Sequence, residues 1–132
     1  MPGTDVTALA ETLREHLDRS GLGAVAVEPG HVMQASRADL RSPWVRFALD
    51  SLERTEDIPA VLLPNLGGTL PNDAFTGPLG LPTIWIPHSY PACAQHAPDE
   101  HLLAPPARQA LRLMAGLFWD LGEAGRPGGA SG

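Results

Sequence analysis

The chain reads as an α/β protein with helices packed on a mostly parallel sheet. Two observations carry this. Ala60–Leu63 and Thr83–Ile86 are short apolar runs closed on both sides by proline, too short for helices and apolar enough for strands buried on both faces. Between them lie a glycine loop, Leu66-Gly67-Gly68-Thr69, and a short helical stretch over 71–75. Strand, loop, helix, strand is the order of an α/β crossover.

The elements follow in chain order. Val6, Leu9, Ala10, Leu13 and Leu17 recur every three or four residues and predict a helix over 5–20, with Asp5 as N-cap, Gly21 as the residue that stops it, and Glu15 with Arg19 as an i,i+4 pair. Ala24–Glu28, closed by Pro29-Gly30, predicts a strand. Residues 31–42 lack a sustained period and predict a connector between an N-terminal α+β unit, 1–30, and a larger unit, 43–121. Pro43 suits the first turn of a second helix, whose apolar face is Trp44, Phe47, Ala48 and Leu52, with Val45 a further candidate, ending near Arg54. After the crossover and a long loop from Pro87 to Ala104, Pro105-Pro106 opens a last helix. Leu111, Met114, Ala115, Phe118 and Leu121 line one side of it, and Gly122 ends it. Residues 122–132, mostly Gly, Ala and Pro, are expected to be disordered because they bury too little apolar surface to offset their ordering entropy.

Composition narrows the function. Net charge is -6 and every basic residue is arginine, which disfavours nucleic acid and anionic membranes as partners. The start of the chain lacks the basic and apolar regions of a secretory signal, so a cytoplasmic location is expected. A single cysteine, Cys93, excludes an internal disulfide framework and a cysteine-rich zinc site, so metal chemistry here needs histidine and carboxylate.

In open α/β sheets ligands gather beyond the carboxyl ends of the strands, where this sequence places two unusual loops, 65–70 and 88–101. Gly67-Gly68-Thr69 offers unhindered N–H groups and a hydroxyl suited to a carboxylate, and serves equally as a tight turn needing positive φ. The second loop concentrates His88, His96 and His101 with Asp99 and Glu100, donors that suit zinc. The spacings fit no helical ligand pair. His88 and His101 read as solvated or supporting residues, and only His96 as a ligand. Cys93 lacks an oriented partner and reads as a semi-buried thiol, and His16-Leu17-Asp18 as a solvated helix face.

In order, Gly67-Gly68-Thr69-Leu70-Pro71, Gly80-Leu81-Pro82-Thr83 and His96-Ala97-Pro98-Asp99-Glu100 resemble a signature of the aminoacylase, acetylornithine deacetylase, succinyl-diaminopimelate desuccinylase and carnosine dipeptidase family of zinc metallopeptidases. The resemblance covers nearly the whole chain. It implies that 1–30 is the last helix and strand of a lid that often dimerises, and that 43–121 closes a zinc-exopeptidase-type catalytic domain. By position, His96 matches the last metal ligand; Gly67, Gly68 and Thr69 match the segment that contacts the substrate carboxylate; and Glu100 matches a supporting position beside the metal. Asp99 replaces the usual asparagine.

The family's His-x-Asp ligand, bridging carboxylate, Glu-Glu pair with the general base and further acidic ligand have no match. The resemblance therefore implies no catalytic residue here. The expectation is a C-terminal fragment of a two-zinc hydrolase, cobalt or manganese serving in place of zinc, that cleaves a peptide or N-acyl amide next to a free carboxylate. Alone it should be inactive. Its partners would be that substrate in the full-length enzyme and a homodimer mate or a separately encoded N-terminal half. The alternative is a non-catalytic binding module.

Overall fold

The computed structural model describes residues 2–128 and is helical, with no strand among them. This overturns the α/β expectation and its parallel sheet. The four-residue runs are where the expectation fails. Ala60–Leu63 and Thr83–Ile86 run through the structure without a ladder partner, and Val61 is 82% exposed. A strand exists only when a neighbour takes up its N–H and C=O groups. Here each run is bracketed by prolines, at 59 and 64 and at 82 and 87, which donate no hydrogen bond. Ala24–Glu28 forms no strand either. Val25 closes a turn by donating its N–H to the Leu22 carbonyl at 2.9 Å, and Arg14 donates to the Val27 carbonyl at 2.9 Å.

The chain divides into two units: Met1–Arg37 with Gly67–Thr83, and Ala38–Leu66 with Ile84–Gly132. The first holds α1, Leu9–Arg19, and α3, Asp73–Thr76. The helix α1 starts three residues later than Asp5 as N-cap predicts. Asp5 is drawn into a local turn instead, its Oδ1 accepting from the Thr7 backbone N–H at 2.9 Å and the Thr7 hydroxyl at 2.6 Å. Its C-terminus closes as a Schellman motif. Gly21 sits at φ 75, its N–H reaches the Asp18 carbonyl at 3.1 Å, and the Leu22 N–H reaches Leu17 at 2.8 Å. Glu15 and Arg19 pair at 3.5 Å. Gln34 ties this unit together, donating its N–H to Asp73 Oδ2 at 3.4 Å and its side-chain amide to the Thr4 carbonyl at 3.0 Å.

The second unit is built on α2, Pro43–Glu56, packed against α4, Ala104–Ala124. Ser42 caps α2, its hydroxyl accepting from the Trp44 N–H at 3.3 Å, and Pro43 occupies the first turn. Asp57, at φ 54, ends it. Val45, Ala48 and Ser51 are buried at one-turn spacing. The α4 face toward the core is rotated from the predicted one: Leu113, Met114, Leu117 and Leu121 are half-buried, while Leu111, Ala115 and Phe118 are exposed. The helix is apolar around most of its circumference, so periodicity alone does not select the buried side. Nor does Gly122 end it. Helix α4 continues to Ala124, correcting the expectation of disorder from 122; residues 129–132 of that tail lie outside the described residues.

Three polar contacts lock the pair. Arg112 forks onto Glu56 at 2.9 and 3.1 Å, Gln109 donates to Glu56 at 3.3 Å, and Arg54 meets Asp120 at 2.7 Å. Arg112, then Gln109, hold the Glu56 carboxyl below its ordinary range against the opposing effect of burial. Asp120 is lowered by the Ser51 hydroxyl first and Arg54 second. That hydroxyl is buried with no partner of good hydrogen-bond geometry among the described residues, yet lies close enough to Asp120 to favour its charge. Gly116 faces Thr55 of α2, whose side chain a Cβ would run into.

Candidate functional site

The histidine loop belongs to the second unit and is ordered by its own hydrogen bonds. Pro91–Cys93 forms one 3₁₀ turn. The Cys93 N–H reaches Tyr90 O at 2.8 Å, the Ala97 N–H reaches Ala94 O at 3.0 Å, and the His101 N–H returns to Cys93 O at 3.1 Å. Cys93 is 2% exposed and anchors the loop to the interior, which accounts for its thiol without chemistry.

Three non-glycine residues in this short span are left-handed: Ala94 at φ 52, His96 at φ 60 and Asp99 at φ 64. Each such conformation costs an L-residue about 1 kcal/mol, so the loop holds its shape against local preference. The compensation at His96 is visible. Its N–H donates to Glu100 Oε2 at 3.3 Å, and its imidazole is left exposed. His96 and Glu100 are thus brought together, the carboxylate bracing the backbone that carries the imidazole.

His101 carries a feature that sequence reasoning missed. Its Nδ1 lies 2.7 Å from the Asp99 carbonyl oxygen, which can only accept, so Nδ1 bears a proton and, in the neutral imidazole, the lone pair falls on Nε2. A carbonyl that fixes the tautomer in this way is the usual support of a metal-binding imidazole. No sequence pattern announces it, because the contact depends on Asp99 being left-handed. His88, half-buried, borders an open hollow of about 280 Å³ beside the first turns of α4, together with Tyr90, Gln109 and Leu113.

Gly67, Gly68 and Thr69 belong to the first unit and are exposed. Neither glycine has a positive φ, unlike Gly80 at φ 59, and a Cβ on Gly67 would meet nothing. The tight-turn reading of this Gly-Gly pair is therefore not realised. The loop leads to α3, whose four residues have no side-chain cap. His16 and Asp18 are exposed on α1 with Leu17 half-buried between them, a solvated face.

A catalytic zinc takes three protein ligands and a water. Among the described residues no three His, Cys, Asp or Glu side chains converge to hold a metal ion. The described residues do not by themselves fit a complete metal site. No helix of the described residues is long and apolar enough to cross a membrane. Compared with known protein families, with curated proteins and with solved structures, the chain finds no match.

Proposed function

We propose that this chain is the C-terminal portion of a metal-dependent exopeptidase or amidohydrolase, supplying His96 to a two-zinc site and Gly67, Gly68 and Thr69 to the substrate carboxylate. The reading rests on the His96–Glu100 turn. A left-handed backbone braced by a carboxylate, with the imidazole facing solvent, suits a ligand donated to a site whose other members come from elsewhere. The zinc-activated water and the general base belong to that remainder, and this portion alone is inactive.

The test is zinc bound per chain after dialysis, for the wild type and His96→Ala, with hydrolysis of N-acyl amino acids and dipeptides. The expected result is no tightly held zinc and no turnover. Turnover should appear when a polypeptide carrying the His-x-Asp and Glu-Glu elements is added, and disappear with His96→Ala. Two tight zincs in the isolated chain, with turnover lost in His96→Ala, would overturn the reading.

A further inference from the structure

The open hollow bordered by His88 combines an apolar floor with a polar wall. It lies wholly within the second unit, has a volume of about 280 Å³, and is lined by none of His96, Glu100, Gly67, Gly68 or Thr69. Whatever it holds is therefore independent of the zinc reading. Its floor is one face of α4, Pro106, Ala110 and Leu113 at one-turn spacing, and runs for roughly 10 Å. Its wall is the segment His88-Ser89-Tyr90, whose imidazole, hydroxyl and phenol make no hydrogen bond among the described residues.

Gln109 completes the lining, and its amide is oriented by a bond outside the hollow. The Glu56 carboxylate, paired with Arg112, can only accept, so the atom it holds at 3.3 Å is Nε2 and Oε1 is the acceptor Gln109 can offer. No Asp, Glu, Lys or Arg among the described residues lines the hollow. Little there attracts an anion either, because Pro105 and Pro106 remove two of the first-turn N–H groups that give a helix start its pull on negative charge. We infer that this hollow is a binding site for a small neutral ligand made of a flat ring and a carboxamide.

Each part of such a ligand has a counterpart. The ring lies along Ala110 and Leu113 and meets the Tyr90 ring, 47% exposed, in an offset or edge-on contact. The amide N–H donates to Gln109 Oε1, and the amide carbonyl accepts from the Ser89 or Tyr90 hydroxyl, so both polar ends are satisfied. An ester of the same shape lacks the donor, and a carboxylate brings a charge that nothing on the lining compensates. The volume sits at the lower limit of ligand pockets, with room for about ten non-hydrogen atoms, which sets the dissociation constant on the order of 1 mM.

Tyr90 is the single tyrosine of the chain, so ring-labelled tyrosine gives magnetic-resonance signals from the hollow alone. The full chain is titrated with benzamide, methyl benzoate and benzoate. Benzamide should shift the Tyr90 signals saturably, with methyl benzoate about fivefold weaker for want of one net hydrogen bond and benzoate weaker than benzamide. Gln109→Leu should erase the advantage of the amide over the ester. Ala110→Leu, which adds bulk to the floor, should lose both ligands with the helical circular dichroism unchanged. Benzamide that fails to saturate up to roughly 20 mM would overturn the proposal. So would benzoate binding as well as benzamide, benzamide binding unaffected by Ala110→Leu, or an amide preference that survives Gln109→Leu.

Discussion

The helices α1 and α4 are both amphipathic, yet they are held in different ways. The first has its apolar positions at regular spacing and buries none of them; Leu9 and Leu13 stay about half exposed. Its order is local, resting on the Schellman closure at Gly21 and the Glu15–Arg19 pair. The last helix packs on α2 through apolar side chains, a glycine contact and ion pairs bridging positions more than fifty residues apart. Amphipathic spacing thus states what a helix could bury, and a partner decides what it does bury.

The contrast is broken most severely where Gly116 of α4 faces Thr55 of α2. Gly116→Val should destabilise the second unit by about 2–3 kcal/mol in urea unfolding, because the added methyl groups meet Thr55. The Thr55 hydroxyl is bonded to the Ser51 carbonyl at 2.9 Å, so its side chain cannot turn away without losing that bond. Helix propensity alone favours valine over an interior glycine by a few tenths of a kcal/mol, so a gain in stability here would show that the contact is not a close one.

What could be read from the sequence follows the same division. The three long helices were legible because their signals are local: Pro43 in the first turn of α2, the period of α1, the proline pair opening α4. The missing sheet was not, because a four-residue apolar run such as Ala60–Leu63 carries no information about whether a neighbour is present. Which side of α4 is buried was misread for a related reason, Leu113 and Leu117 being as apolar as Leu111 and Phe118. In the candidate site His96 could be chosen by residue type, whereas the supporting role of Glu100 came only from the family resemblance. The bond between them, and the His101 tautomer, arise from left-handed residues that no composition signals.

Smaller effects separate a true cap from an apparent one. Both Asp5 and Ser42 precede helices and are good N-cap types, but only Ser42 accepts from the helix that follows. Ser42→Ala should cost about 1 kcal/mol in thermal unfolding of the second unit. Asp5→Ala removes only the Thr7 turn and should leave the helical signal nearly unchanged. Equal losses from the two would return Asp5 to the capping role its position suggests.

The weakest expected effect distinguishes ion pairs by what surrounds them. Glu56 and Asp120 are held below their ordinary values of 4.5 and 3.8, so near those values the folded chain binds fewer protons than the unfolded one. Their contribution is complete above those values and disappears as pH falls through the lowered folded ones. Acidification from about pH 4.5 downward should therefore erode the α2–α4 pairing, and Glu56→Gln should flatten that acid limb while lowering stability at neutral pH. Both partners of the α1 pair are largely exposed, with Glu15 and Arg19 side chains 60% and 67% accessible, and Glu15→Gln should change stability by only a few tenths of a kcal/mol. If Glu56→Gln proves as silent as Glu15→Gln, the pairing of α2 with α4 rests on its apolar contacts alone, and the guanidinium fork on Glu56 adds orientation without stability.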